Sequence, residues 1–158
     1  MSARILLVTG SRALEGSAHE ERARAILSAI VFSLSDGAVV VTGDARGPDE
    51  WAAHYAGSRL LSLHQRIYSL DGWVYDEQPA QLRRWRAKYQ GESTPLARNV
   101  AMVAEVARQR DRGAEVLVLG LEAKWSETLG TAHTLGAARA QRFEITRVTF
   151  DMASKNAG

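Results

Sequence analysis

The chain contains no cysteine. Disulfides, thiolate metal sites and a cysteine nucleophile are thereby excluded, and a reducing compartment suits such a chain. No apolar run approaches the roughly 18 residues that a membrane helix needs. The opening run MSARILLVTGSR is too short in apolar residues to read as a signal peptide. The expectation is a soluble cytoplasmic protein that meets no membrane. Neither sign of charge dominates, with 20 basic side chains against 18 acidic ones and a net charge of +2. That balance alone does not argue for a duplex nucleic-acid partner. Two phosphate fingerprints are also missing. No G-x-G-x-x-G follows the first apolar run, and no G-x-x-x-x-G-K-[ST] occurs. An ordinary NAD dehydrogenase and an ordinary P-loop NTPase are therefore excluded. His19, His54, His64 and His133 are scattered with no i, i+4 pair, so no metal site and no cofactor is indicated. Ser11 has no evident histidine and aspartate partners, which argues against a nucleophilic serine.

What is present suits one compact domain. The chain has 158 residues, and its hydrophobic fraction of 46% is enough for a core. Residues 4–9 (RILLVT) read as a buried strand ending at Gly10. Residues 18–35 carry Ile26, Leu27, Ile30, Val31 and Leu34 at helical spacing. Residues 38–42 form a second strand, and Pro48 opens a helix that runs to about Gly57. A third strand falls at 66–70 and a helix at 79–89. Pro95 opens another helix, closed by Gly113. A fourth strand at 115–119, a helix at 128–140 and a last strand at 144–150 complete the domain, residues 1–150. Residues 151–158 read as a frayed, disordered tail. Alternating strands and helices imply a three-layer, Rossmann-like α/β sandwich. Right-handed crossovers reduce the topology to a mainly parallel five-stranded sheet of order 3-2-1-4-5.

Ligands in such sheets bind at the carboxyl ends of the strands, near the switch point. Three expected strand ends here share one chemistry. They are Thr9-Gly10-Ser11-Arg12, Thr42-Gly43-Asp44-Ala45-Arg46-Gly47, and Gly120 leading through LEAKWSETLGT to Gly130-Thr131. Glycines let backbone approach a ligand, and the following helix starts favour an anion. Ser11, Thr42 and Thr131 add hydroxyls, while Arg12 and Arg46 add forks suited to phosphate. The Pro95 helix adds Arg98 and Asn99 in its first turn and Met102 one turn on. A cation opposes the dipole at that end, so Arg98 reads as reaching for a ligand anion. The other reading of Arg98 is a surface arginine paired with Glu92 or Asp76. QLRRWRAKYQ interleaves Arg83, Arg84, Arg86 and Lys88 with Trp85 and Tyr89. Such a stretch can track single-stranded nucleic acid. The plainer reading is a solvated helix face with Trp85 and Tyr89 packed inward.

The order TGSR, TGDARGPDEWAA, PLARNVAM, SETLGTAHTLGAARA resembles the SLOG superfamily, the SMF/DprA and LOG group. Within it the likeness is nearest to the small stand-alone YspA-like proteins, and it extends over residues 4–149. The resemblance implies a Rossmann-like fold that binds nucleotides or nucleotide-derived ligands. It places Gly10, Ser11 and Arg12 in a first loop and Gly43, Ala45, Arg46, Gly47 and Asp49 in a second. Arg98, Asn99 and Met102 match its helix motif, and Ser126, Gly130 and Thr131 its last phosphate loop. Asp49 either faces the ligand, braces the loop or only caps the helix. Two departures stand out. Asp44 replaces the second glycine of the usual GGARG and brings a charge to the site. LEAKWSETLGT replaces the usual PGG before GT, and its Lys124 and Trp125 offer bulk and a stacking surface.

LOG-type relatives imply an enzyme that cuts the N-glycosidic bond of nucleoside monophosphates. Their glutamate, three residues past GT, supports the oxocarbenium-like centre and activates water. Here that position is Thr134, beside His133, and a hydroxyl is no base at neutral pH. Asp44, Asp49, Glu122 and Glu127 are the other carboxylates that could serve from another wall of the cleft, though nothing in their spacing shows it. The leading expectation is a nucleotide-binding or sensor protein with a nucleotide-like small-molecule partner. LOG-like hydrolysis of a nucleotide is the alternative, and a single-stranded nucleic-acid binder of DprA type comes third. A homodimer is also expected, both from the resemblance and from Val100, Val103, Ala104 and Ala107 lying close together on one helix.

Overall fold

A computed structural model describes residues 4–59, 62–77, 80–85, 94–124 and 129–152. Seven strands form one sheet: β1 (Arg4–Gly10), β2 (Val39–Gly43), β3 (His64–Tyr68), β4 (Trp73–Glu77), β5 (Ala80–Arg84), β6 (Glu115–Ala123) and β7 (Glu144–Phe150). Four helices cover it: α1 (Glu20–Ser33), α2 (Pro48–Ser58), α3 (Pro95–Asp111) and α4 (Leu129–Ala140). The strand order is β5-β4-β3-β2-β1-β6-β7. The stretch β3-β2-β1-β6-β7 is parallel throughout and reproduces the expected 3-2-1-4-5.

The expectation of five strands is corrected to a seven-stranded mixed sheet. β4 and β5 form an antiparallel hairpin on the β3 edge. The helix expected at 79–89 is instead strand over Ala80–Arg84, and residues 86–93 lie outside the described set. The cause is an inverted pattern. Arg83 on β5 points to the α3 side, where it bonds Asp76 (3.1 Å) and Glu105 (2.7 Å). Leu82 is exposed instead. Polar pairs, not apolar alternation, hold this hairpin.

β1 is central and buried on both faces, as parallel strands require. Leu6 and Val8 face one core with Leu27 and Val31 of α1 and Trp51, Ala52 and Ala56 of α2. Ile5 and Leu7 face the other, with Met102, Val103 and Val106 of α3 and Leu135 of α4. Each such fully buried aliphatic side chain stabilises the fold by about 1.5–3 kcal/mol. The helices thus form two outer layers around the sheet, a doubly wound arrangement. Val103 and Ala107, expected on a dimer face, lie inside the second core. The exposed apolar pair on α3 is Leu96 and Val100.

β6 runs on to Ala123, so Gly120 is mid-strand rather than at the strand end. A Cβ there would lie 2.7 Å from Leu135 Cδ1, so Gly120 makes room for α4. The chain past β7 is partly tied down. The His19 ring bonds the Asp151 carbonyl through Nε2 at 2.9 Å, and Met152 packs on the first core. The rest of the expected tail, residues 153–158, lies outside the described residues. No described helix is long and apolar enough to cross a membrane.

Candidate functional site at the carboxyl edge

The first strand end is locked to its neighbour. The Ser11 N–H donates to the Leu121 carbonyl, and the Ser11 hydroxyl accepts from the Ala123 N–H, both at 2.9 Å. Ser11 is therefore buried as a clamp between β1 and β6. Arg12 follows in a short 3-10 turn and is exposed. A Cβ on Gly10 would run into the Pro48 ring, so this glycine lets the start of α2 close over β1.

The second strand end carries most of the chemistry. Gly47 caps α2 with φ 83°, a backbone state that L side chains avoid. Pro48 follows at the first helical position, as its missing N–H allows. Asp49 then turns back into the protein, 6% exposed, and accepts a long bond from the Ala45 N–H at 3.4 Å. It braces the loop and does not cap the helix. Burial pushes the Asp49 carboxyl up from 3.8 to about 7. Arg98 and the Ala45 N–H act against that, Asp44 adds to it, and Arg12 opposes it weakly.

Arg98 arrives from the opposite helical layer. Thr94 caps α3 by accepting from the Ala97 N–H at 3.1 Å, and Pro95 opens the helix. Arg98 in this first turn is buried. Its Nη1 donates to Asp44 Oδ1 at 2.6 Å, and its Nε and Nη2 reach Asn99 Oδ1 at 3.3 Å. Asp76, one suggested partner of Arg98, instead takes Arg66 and Arg83, and Glu92 lies outside the described residues. The Asp44 Oδ2 accepts the Leu70 N–H at 3.0 Å. Gly43 is the floor of this cluster. A Cβ there would lie 2.8 Å from both Arg98 Cζ and Asp49 Oδ2. Two helix starts from opposite layers thus meet over one glycine at the carboxyl edge.

Other expected residues sit at the margins. Arg46 is exposed and pairs with Glu15 at 3.4 Å. Thr42 is buried, and its hydroxyl oxygen has no hydrogen-bond partner among the described residues. Gly130 and Thr131 lie in the first turn of α4, with Thr131 buried. The residue at the point of α4 three past Thr131 is Thr134, which is fully buried. Ser126, Trp125 and Glu127 lie outside the described residues, while Lys124 is exposed. Glu122 pairs with Arg147 at 2.5 Å. Met102 is core. Among the described residues no three His, Asp or Glu side chains gather as a metal site requires.

A second polar cluster lies under the hairpin. Glu105 bonds Arg83 and the Tyr68 hydroxyl and lies 3.4 Å from Arg108. Burial raises its pKa, against the pull of Arg108 and Arg66. The visible signal was a glutamate within the apolar run VAEVA of α3.

The fold and this edge define a class: a doubly wound α/β domain with a buried Asp–Arg cluster at the ends of its central strands. No protein-family model matches the chain, and no curated protein matches it. Among solved structures, the X-ray structure of DNA processing protein A (DprA) from Streptococcus pneumoniae is similar at 14% identity and a TM-score of 0.44. The match covers 91% of this chain and 58% of that one, so the chain spans little more than half of that protein's length. No residue role is carried over from it.

Proposed function

We propose that the protein binds a nucleotide or nucleotide-derived small molecule at the carboxyl edge of β1, β2 and β6 and holds it intact, as a sensor or binding protein of SLOG type. One observation carries this reading. The starts of α2 and α3, from opposite layers, converge over Gly43 with Asp49, Arg98 and Asp44 around it. Helix starts favour anions, and strand ends of a doubly wound sheet are where ligands sit. The loops of Gly10–Arg12 and Gly43–Gly47 form the walls, with Arg12 as the exposed cation for a phosphate. Gly130 and Thr131, in the first turn of α4, close the far side in this reading. Leu96 and Val100, one turn apart and exposed, supply the apolar surface for self-association.

Hydrolysis of an N-glycosidic bond is the second reading, and Asp49 favours it. A buried carboxyl near pH 7 is suited to acid–base work. Against it stands Thr134, sealed inside α4 where LOG-type relatives carry a glutamate. Among the described residues, a nucleic-acid surface draws on the outer hairpin face, where Arg84 lies 4.5 Å from the Trp73 ring centroid. Arg83 and Trp85 of the same stretch face inward.

The test is mass spectrometry of bound and free pools after incubation with nucleoside monophosphates, ADP-ribose and NAD. Wild type retains an intact nucleotide, and Arg12→Ala loses it with an unchanged melting temperature. Release of free base establishes the hydrolytic reading instead. Retention of none of these compounds by folded protein overturns the nucleotide cleft.

A further inference from the structure

We propose that Asp44 is the acceptor for a vicinal diol, which makes the cleft selective for ribonucleotides over their 2′-deoxy counterparts. The inference rests on the nucleotide reading above and specifies the sugar that the site takes. Asp44 is the first residue beyond β2, at the carboxyl edge of the sheet.

Both carboxylate oxygens are fixed, Oδ1 by Arg98 Nη1 at 2.6 Å and Oδ2 by the Leu70 N–H at 3.0 Å. Those two bonds use about half of the roughly four acceptor positions of a carboxylate. The side chain is nevertheless 38% exposed, and in this proposal the remaining positions take the ligand. Two parallel lone pairs held in one plane match two neighbouring hydroxyl donors. A phosphate at the same point would meet a like charge. The phosphate therefore belongs toward Arg12, which borders the same loop, since a Cβ on Gly47 would lie 3.4 Å from Arg12 Cα. Sugar and phosphate thus have separate, chemically opposite partners along one edge. Carboxylates beyond a strand of a doubly wound sheet serve as ribose acceptors elsewhere.

A site built around a hydroxyl discriminates strongly against the analogue that lacks it, because the acceptor is left unpaired. Loss of one charge-assisted bond corresponds to about 10- to 100-fold in affinity. The experiment is equilibrium titration of wild type and Asp44→Asn with AMP, GMP, CMP and UMP and with their 2′-deoxy forms. Wild type prefers the ribo form by about 10- to 100-fold, and Asp44→Asn reduces that ratio to about threefold or less. The loss is larger for the ribo form, because the 2′-deoxy form offers Asp44 only its 3′-hydroxyl. Equal binding of both forms by wild type overturns the proposal while leaving the nucleotide cleft standing. An equal loss of both forms in Asp44→Asn also overturns it, because Asp44 would then only position Arg98. Binding of none of the eight compounds overturns the cleft and the diol acceptor together.

Discussion

Replacing Asp49 by asparagine removes one titration from the folded protein and little else. The amide oxygen can still accept from Ala45 N–H, and the volume is unchanged. Asp49 has its carboxyl raised by burial from 3.8 to about 7, with Arg98 only partly offsetting the cost. In the unfolded chain it ionises near 3.8, while in the fold it keeps its proton to about 7. Between those values the folded state binds more protons, so stability falls as pH rises. The contribution is complete below 3.8 and gone above about 7. At about 1.4 kcal/mol per pH unit, the whole window amounts to about 4 kcal/mol. The substituted amide does not titrate. The stability of Asp49→Asn minus that of wild type therefore widens by about 2–3 kcal/mol between pH 5 and pH 7 and levels above. Urea unfolding of both proteins at pH 5, 6, 7 and 8 measures this, and other groups cancel in the difference. A gap that stays flat, or that narrows toward neutral pH, refutes the reasoning. A flat gap would mean that Arg98 holds Asp49 ionised in the fold as it is in the unfolded chain over this range, and that burial is the lesser force.

Two further outcomes follow from the packing. Gly120→Ala puts a Cβ 2.7 Å from Leu135 Cδ1 in a filled core, so it destabilises by about 1–3 kcal/mol despite the better strand propensity of alanine. A urea midpoint equal to or above wild type refutes that. Asp76→Ala removes the buried acceptor of Arg66 and Arg83 and costs about 3–5 kcal/mol. Thermal melting reads the loss, and a change below about 1 kcal/mol would show that water replaces the carboxylate freely.

The legible parts of the fold were those where one local rule decides. RILLVT and the run at 115–119 are continuous apolar stretches, as strands buried on both faces must be. Pro48 and Pro95 mark two helix starts because their missing N–H costs nothing there. The hairpin β4–β5 was not legible. Its inward position holds the half-buried Arg83 and its exposed one Leu82, so its alternation runs opposite to the apolar rule. Gly120 read as a strand end, yet its meaning lies in Leu135, on the next helix. At the site, the glycines, Arg98 and Asp49 were visible as residue types in a suggestive order. Their pairing was not. Arg98 and Asp44 are 54 residues apart and meet only because α3 crosses to the carboxyl edge. Spacing carries no trace of such a contact. The raised pKa of Asp49 was equally hidden, since burial belongs to the folded edge and not to the loop sequence.

Hydrogen exchange with and without a saturating nucleotide tests the central claim most directly. The nucleotide is whichever one wild type retains. Protection is expected in three separate stretches, residues 10–14, 43–49 and 95–99, which meet at the carboxyl edge only in the folded sheet. The hairpin, residues 73–84, should exchange as before. Protection confined to the hairpin would place the ligand on the Trp73–Arg84 face and contradict the account.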